Sequence, residues 1–447
     1  MKTIHLRPME ETLAETTALC PACLKTLAAR RVRRGAQVFL ERTCPEHGTV
    51  STLIWNGAPS YESWGGAAAR QGVAPEEAHD CPRSCGLCAD HRRATCCLLF
   101  EVTRRCNLGC PVCYASSGGA DEDPPLEELG RWYDAVYAQS GPCNIQLSGG
   151  EPTVRDDLPE IVAMGKERGF PYLQLNTNGL RLAAEAGYAR RLKEAGLDCV
   201  FLQFDGVEDG AYTALRGRGL LAEKRAAVDA CAAAGLGVVL VPTLVPGVND
   251  NQLGDVIRYA VSRMPDVRGV HFQPISYFGR YPHREAPARL TIPDVLRALE
   301  EQTGGAMRAA HFKPGTAENP YCSFNGAYLL EPDGSLSPLR SRQSCCCCGG
   351  GEGDRTEVGR AQRYVARQWG RDGRTNRPGL RLVKPESLED FLERAGQYTL
   401  AVSGMVFMDP WTADLARLRE CYIHVMKDGR RILPFCACNL FHRRGET

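Results

Sequence analysis

The sequence lacks any long apolar run. No stretch of its 447 residues approaches the ~18 uncharged apolar positions that a membrane-spanning helix needs, and the best, Gly235–Val245, is short and broken by Pro242. Residues Met1–Glu15 mix charges throughout and lack the apolar segment of a signal peptide. Charge of one sign is also missing: 54 basic side chains face 53 acidic ones, leaving +1. That balance removes the general case for a nucleic-acid partner or a membrane surface. No internal repeat of fixed period is visible. These absences lead to the expectation of a soluble, cytoplasmic protein. At about 150 residues per domain the length suggests roughly three structural units, large enough to bury a core without covalent staples.

What is abundant is cysteine, 22 residues. In a reducing compartment structural disulfides are rare, so clustered thiols there point to metal or sulfide ligation. The clusters fall into zones. Residues 1–56 read as a small metal module, and 57–97 as a linker (Gly57–Gly72 is Gly/Ala-rich) followed by a second cysteine group. Residues 98–303 alternate short β-branched or apolar runs with longer amphipathic ones. Candidate strands are Leu98–Thr103, Asn144–Ser148, Tyr172–Asn176, Cys199–Phe204, Val238–Thr243 and Val270–Pro274. Helical patterns separate them near Leu126–Gln139, Leu158–Arg168, Leu182–Ala195, Ala222–Ala234 and Leu253–Ser262, with a last one at Pro293–Gln302. This alternation is the signature of βαβ units and a parallel sheet. Six units are too few for a closed eight-fold barrel and suit an open one. Residues 304–447 read as an irregular, cysteine-bearing cap.

Directly after the first candidate strand comes Cys106-Asn-Leu-Gly-Cys110-Pro-Val-Cys113-Tyr114. Three thiolates within eight residues can hold three irons of a 4Fe–4S cubane from one loop, leaving the fourth iron open for an exogenous ligand. A structural zinc is the alternative, and it would want a fourth protein ligand. After the second strand comes Ser148-Gly149-Gly150-Glu151-Pro152, whose glycines let backbone approach a ligand closely with amides exposed. The third strand ends in Asn176-Thr177-Asn178-Gly179 and the fourth in Gln203-Phe204-Asp205-Gly206. Polar residues at consecutive strand C-termini are expected where a parallel α/β sheet binds its ligand. Turns or helix caps are the plain alternative for each.

The triplet and its context resemble the radical S-adenosylmethionine (SAM) superfamily. The resemblance implies a 4Fe–4S cluster on Cys106, Cys110 and Cys113 that binds SAM and cleaves it reductively to a 5′-deoxyadenosyl radical. It implies Tyr114 near the adenine and Gly149, Gly150, Glu151 and Pro152 at the cofactor's amino group. It further implies Asn176 and Asn178 near ribose or carboxylate, and Gln203 and Asp205 at the next strand end, with Gln203 standing where a serine is usual. The loop Val245–Asp250 resembles the adenine-side loop, and equally an ordinary turn.

Outside the core, Cys20-Pro-Ala-Cys23 and Cys44-Pro-Glu-His47 form two knuckles that can bring four ligands to one tetrahedral ion, zinc or a rubredoxin-like iron. Arg30, Arg31, Arg33, Arg34 and Arg42 between them read as a solvated β-ribbon face in preference to a nucleic-acid surface. Cys81, Cys85 and Cys88 repeat the C-x3-C-x2-C spacing, with Cys96 or Cys97 as a fourth ligand for a closed auxiliary cluster. Cys322, Cys421 and Cys436 are dispersed candidates for a second, completed by Cys438 or one of Cys345–Cys348. Cys143, Cys199 and Cys231 fall inside strand or helix patterns and read as buried small hydrophobes. The basic stretch Arg355–Lys384 would set Val358, Ala361, Tyr364, Val365 and Trp369 on one helix side. A solvated face packed through that stripe is favoured over peripheral contact with anionic lipid.

The full order of cysteine motifs resembles the subgroup containing archaeal tetraether lipid synthase and bacterial relatives, some labelled pterin methyltransferases. That resemblance implies two further 4Fe–4S clusters and a mononuclear iron. The expectation is an enzyme with an open (β/α)6 partial barrel, a rubredoxin-like N-terminal module and a C-terminal cap. It would abstract hydrogen from an unactivated carbon, foremost for sp3 C–C bond formation on a lipid or other long apolar substrate. Methylation of a pterin-like heterocycle is second, peptide modification third, and a multi-cluster electron carrier the reading from another class. A flavodoxin- or ferredoxin-like electron donor is implied.

Overall fold

The computed structural model describes residues 10–74, 81–83, 86–119, 122–282, 288–339, 357–370 and 387–442. The chain opens with an antiparallel meander, β1 (Glu10–Leu19), β2 (Thr26–Arg34), β3 (Gln37–Cys44) and β4 (Gly48–Asn56), in that spatial order. Its arginines divide by face, as period-2 alternation requires. Arg30 and Arg34 pair with Glu41 and Glu10 at 3.1 Å on the outer face, while half-exposed Arg33, on the face of Arg31, pairs with Glu62 of the following segment at 2.9 Å. Arg31 and Arg42 are buried against the C-terminal segment. There Arg31 Nε donates to Asp414 Oδ2 at 2.8 Å, and Arg42 Nη2 to the Trp411 carbonyl at 2.8 Å.

Gly57–Gly72, expected as a linker, is folded. The short helix α1 (Tyr61–Gly65), capped by Ser60, runs into a 3₁₀ turn at Gly66–Arg70. Four aromatics explain this. Tyr61 stacks on Tyr321 with centroids 3.8 Å apart, Trp55 meets both edge-on, and Trp64 Nε1 donates to the Pro320 carbonyl. Each such pair adds about 0.5–1.5 kcal/mol beyond its burial, enough to order a Gly/Ala-rich stretch.

The core follows the expected alternation: β5 (Cys97–Thr103), α2 (Leu126–Ser140), β6 (Asn144–Gly149), α3 (Leu158–Glu167), β7 (Leu173–Thr177), α4 (Leu180–Ala184), α5 (Tyr188–Glu194) and β8 (Cys199–Gln203). It continues through α6 (Asp209–Arg216), α7 (Leu221–Ala233), β9 (Gly237–Val241), a two-residue β10 (Thr243–Leu244), α8 (Leu253–Ser262), β11 (Val267–Pro274) and α9 (Ile292–Gln302). The helix expected over Leu182–Ala195 is two helices, divided at Gly187, whose left-handed φ of 79° a continuous helix does not permit.

The C-terminal zone is more regular than expected. It contributes β12 (Ser323–Leu330), β13 (Leu336–Pro338), α10 (Glu357–Trp369), α11 (Leu388–Gln397), β14 (Thr399–Met405), α12 (Leu415–Leu418), β15 (Ile423–Lys427) and β16 (Arg431–Pro434). Strand β14 lies parallel to β11 at one end of the six-strand core, and β15 parallel to β5 at the other. Antiparallel β12 and β16 cover these new edges. The sheet stays open, in the order β13-β12-β14-β11-β9-β8-β7-β6-β5-β15-β16. Outward residues such as Ile145, Leu147, Leu173 and Leu175 are fully buried under the helices.

Helix α10 carries the expected amphipathic stripe. Val365, Ala366 and Trp369 pack on Tyr172, Phe201 and Val239 at the N-terminal end of the barrel, while Tyr364 is 40% exposed. Cys143, Cys199 and Cys231 are buried. No described helix is long and apolar enough to cross a membrane.

The Arg31–Asp414 pair yields the first prediction. Arg31→Met leaves a buried carboxylate without its cation and should cost about 3–5 kcal/mol in urea unfolding. Arg31→Met/Asp414→Leu should recover most of the loss. Equal losses in single and double variants would show that the two charges are not coupled.

Candidate active site and metal centres

The N-terminal knuckles converge. Cys20, Cys23, Cys44 and His47 place one ligand atom each within 4.8 Å of one another. Cys23 Sγ and Cys44 Sγ are 3.9 Å apart, and His47 Nδ1 lies 3.4 Å from Cys44 Sγ and 3.7 Å from Cys20 Sγ. Metal–sulfur bonds of ~2.3 Å in a tetrahedron require edges of nearly that length, so the set fits one zinc or iron ion. The His47 ring lowers the Cys44 thiol to about 6, which favours the thiolate a metal needs.

The loop after β5 presents Cys106, Cys110 and Cys113, all half-buried, at the mouth of a cavity of about 320 Å³. Arg280 braces this loop: its Nε donates to the Cys110 carbonyl at 2.7 Å, and its backbone exchanges both hydrogen bonds with Cys113. The donor set fits a cubane held by three thiols. Burial pushes the free Cys106 thiol up to about 11, so an iron would have to displace its proton.

The glycines of the Gly-Gly turn permit a close approach, but to the chain itself. A Cβ on Gly149 would lie 2.2 Å from the Thr103 carbonyl oxygen, and one on Gly150 would lie 2.1 Å from that of Arg105. The Gly150 and Glu151 amides, expected to face a ligand, donate instead to Thr103 and Arg105 at 2.8 and 2.9 Å. Glu151 is buried, and its carboxylate accepts from Thr153 N and Oγ1, Thr177 Oγ1 and Asn178 N at 2.6–3.1 Å. Pro152 starts the 3₁₀ turn that follows.

Tyr114, Gly149, Gly150, Glu151, Asn176, Asn178 and Gln203 line the same cavity as the triplet. Tyr114 Oη is 2.9 Å from Ser148 Oγ, and Asn178 Nδ2 donates to Asn107 Oδ1 at 2.7 Å. Asp205 lies behind the wall, 1% exposed, in a bidentate pair with Arg216 at 2.7 and 2.8 Å. Arg216 also donates to the Val112 carbonyl inside the cysteine loop. Gln203 hydrogen-bonds Asp205 and accepts from Lys224 Nζ at 2.7 Å, so the residue in the usual serine position joins two charges. Burial pulls the Lys224 ammonium down to about 7, against the attraction of Asp205. Asn249 spends its side chain on its own turn and on the Asp205 and Thr243 carbonyls.

Arg216, Lys224 and Arg280 escaped sequence reasoning. Lys224 alone left a trace, a cation on the helix face shared by Ala227, Val228 and Cys231.

The cavity descends along the inward residues of β6 and β7 to Cys97, Asn144, Tyr172 and Trp369. Cys96, expected as an auxiliary ligand, lines it too. Cys81 is half-buried against Val73, Leu415 and Ala416, Cys88 is exposed, and Cys85 lies outside the described residues. Cys345–Cys348 lie outside them as well. The dispersed Cys322, Cys421 and Cys436 come together around a second cavity of about 30 Å³ beside Arg417, whose Nη2 is 3.5 Å from Cys322 Sγ. Burial raises all three thiols, Cys421 to about 12. Cys438 is buried but does not line that cavity.

Residues 100–260 match the family model described as the radical SAM superfamily, and residues 12–56 the model described as the HMPTM N-terminal zinc ribbon domain. The chain is 32% identical over 476 residues to 7,8-dihydro-6-hydroxymethylpterin dimethyltransferase of Methanocaldococcus jannaschii, covering 96% of this chain and 94% of that one. To GTP 3′,8-cyclase of Paenarthrobacter nicotinovorans it is 32% identical over 212 residues, 46% of this chain and 58% of the cyclase. Among solved structures, Streptococcus suis SuiB bound to its precursor peptide SuiA aligns with TM-score 0.40 and 13% identity, over 48% of this chain and 46% of that one.

Two predictions follow from the geometry. Cys20→Ala/Cys44→Ala should remove one zinc or iron per chain on elemental analysis while leaving acid-labile sulfide unchanged; parallel loss of sulfide would mean that the knuckles do not form a separate site. For Lys224, the unfolded chain holds between about pH 7 and the ordinary lysine range a proton that the folded chain lacks. Stability relative to Lys224→Met should therefore rise with pH across that window. A difference independent of pH would place the ammonium in its usual range.

Proposed function

The chain belongs to the radical SAM superfamily, and we propose that it is a C-methyltransferase of a reduced pterin-class heterocycle. The observation that carries this reading is end-to-end similarity to a pterin dimethyltransferase, with 94% of that enzyme spanned, zinc ribbon included. The cavity is consistent with it: carboxamides line one wall, beside Trp369 and Tyr172. That relative does not point to coupling of a long apolar substrate, the first expectation from sequence.

Cys106, Cys110 and Cys113 would hold the 4Fe–4S cluster, which when bound with SAM supplies the 5′-deoxyadenosyl radical. The chain's own part is positional. Glu151 and Arg280 fix the loop, the Asp205–Arg216 pair anchors it from behind, and the barrel wall excludes water from the carbon presented to the cofactor. Cys322, Cys421 and Cys436 are the residues for an auxiliary cluster, and a flavodoxin- or ferredoxin-like protein is the electron donor in this reading.

The test is anaerobic. Protein reconstituted with iron and sulfide is reduced and given SAM with 7,8-dihydro-6-hydroxymethylpterin. Expected products are 5′-deoxyadenosine, S-adenosylhomocysteine and methylated pterin, all abolished in Cys106→Ala/Cys110→Ala/Cys113→Ala. Formation of 5′-deoxyadenosine without S-adenosylhomocysteine or methylated pterin would refute methylation and leave another hydrogen-abstraction reaction in its place.

A further inference from the structure

Strands β6 and β7 carry an inverted pattern. Their apolar residues Ile145, Leu147, Leu173 and Leu175 face the helices, and their inward positions are Asn144, Gln146, Gln174 and Asn176, all of which line the cavity. Placing polar side chains inside a parallel barrel costs free energy unless each finds a partner, and here the partners are arranged. Gln146 and Gln174 sit directly opposite one another in the β6–β7 register. Gln174 Nε2 donates to Asn176 Oδ1 at 2.8 Å, and Asn176 Nδ2 donates to Gln146 Oε1 at 3.1 Å. This chain orients both glutamines. Each carboxamide has two N–H donors and two acceptor lone pairs, so the chain leaves further valences of both kinds on the cavity wall. Gln174 is only 1% exposed, so it presents little surface to the cavity and acts by holding Asn176 and, through it, the half-buried Gln146.

Another wall of the same cavity is aromatic, its rings tilted 40–69° to one another. Phe201 and Trp369 lie 5.1 Å apart, and His271, fixed by Ser403 Oγ at 2.9 Å, packs against both. A planar ring with a hydrogen-bonding edge suits these two walls together. An alkyl chain would leave the remaining carboxamide donors and acceptors without partners, a penalty a heterocycle edge avoids. The depth also fits. Gln146 lies two residues below Ser148, about 7 Å down the strand, and Ser148 bonds Tyr114 beside the cysteine triplet. An edge held at Gln146 leaves the opposite end of a bicyclic ring toward the cluster loop.

We propose that Gln146, held in place by Gln174 through Asn176, is the specificity residue of this site and reads the donor–acceptor edge of the pyrimidinone ring, 2-amino group included, against Phe201 and Trp369. This rests on the pterin reading above.

The experiment compares two substrates, 7,8-dihydro-6-hydroxymethylpterin and its analogue lacking the 2-amino group, in the reconstituted native enzyme and in Gln146→Leu, Gln174→Leu and the near-isosteric Gln146→Met. In the leucine variants kcat/KM for the pterin should fall about ten- to hundred-fold, through KM, and selectivity over the analogue should shrink toward unity. Gln146→Met keeps the length of the side chain while removing both the donors and the acceptor that a 2-amino group needs, so it should show the same loss of selectivity if a leucine variant does not fold. Equal losses for both substrates, or none, would overturn the proposal by making the carboxamides structural. A native enzyme that methylates neither substrate would overturn the pterin reading itself, a failure seen before any variant is made.

Discussion

A buried carboxylate must be paired, and in this molecule that requirement builds the site. Glu151 sits where β6 ends, buried, and its two oxygens are shared among Thr153, Thr177 and Asn178. The carboxylate thereby ties the end of β6 to the end of β7. The glycines before it tie β6 to β5, since only residues without a Cβ can lie against the Thr103 and Arg105 carbonyls. Three strand ends are thus fixed relative to one another, and the cysteine loop grows from the first of them. Arg216 closes the arrangement by bonding both Asp205 and a carbonyl within that loop. A loop of glycine, proline and half-buried thiols has little packing of its own. Its geometry is borrowed from charges and hydrogen bonds on its neighbours.

The same economy governs the periphery. An open parallel sheet exposes two edges, each a liability for the fold. The C-terminal zone extends both with parallel β14 and β15 and ends them with antiparallel β12 and β16. The meander is held by Arg31 and Arg42 on the segment between β14 and β15, and by Asn56 donating to Asp294 at the start of α9. The N-terminal metal module and the C-terminal strands therefore support one another through buried polar contacts, which act only when both are folded.

Much of this was legible in sequence, for identifiable reasons. The six strands and their helices were found because apolar residues recur along every strand, continuously in β8 and β9 and alternately in β6 and β7, and their ends lie within a few residues of those expected. The knuckles and the triplet were found because ligand spacing is local. What failed was whatever depended on distant partners. Gly57–Gly72 looked like a linker because its composition is small, while its order comes from Tyr61 and Trp64 packing near Tyr321. Strand β14, Thr-Leu-Ala-Val-Ser-Gly-Met, carries too little pattern to be seen apart from β11 beside it. Arg216 and Arg280 are ordinary surface residues until the fold turns them toward the cysteine loop. The carboxamides of β6 and β7 were visible as letters, yet which face they occupied depended on where the helices lay.

The seam of the open sheet joins these threads. Met405 ends β14 and Phe407 follows it, Tyr422 precedes β15 and Ile423 begins it, and these four residues line both the central cavity and the small cavity of Cys322, Cys421 and Cys436. One layer of side chains therefore separates the three buried thiols from the lumen in which the cysteine triplet and the carboxamides lie. A closed barrel would fill that position with a ladder of hydrogen bonds and could hold no thiols there. Failure to close is what creates the room, and Arg417, buried beside Cys322, supplies a positive charge to a site whose thiols burial otherwise keeps protonated. The open topology is thus the feature that lets a second donor set stand within one residue's width of the chemistry.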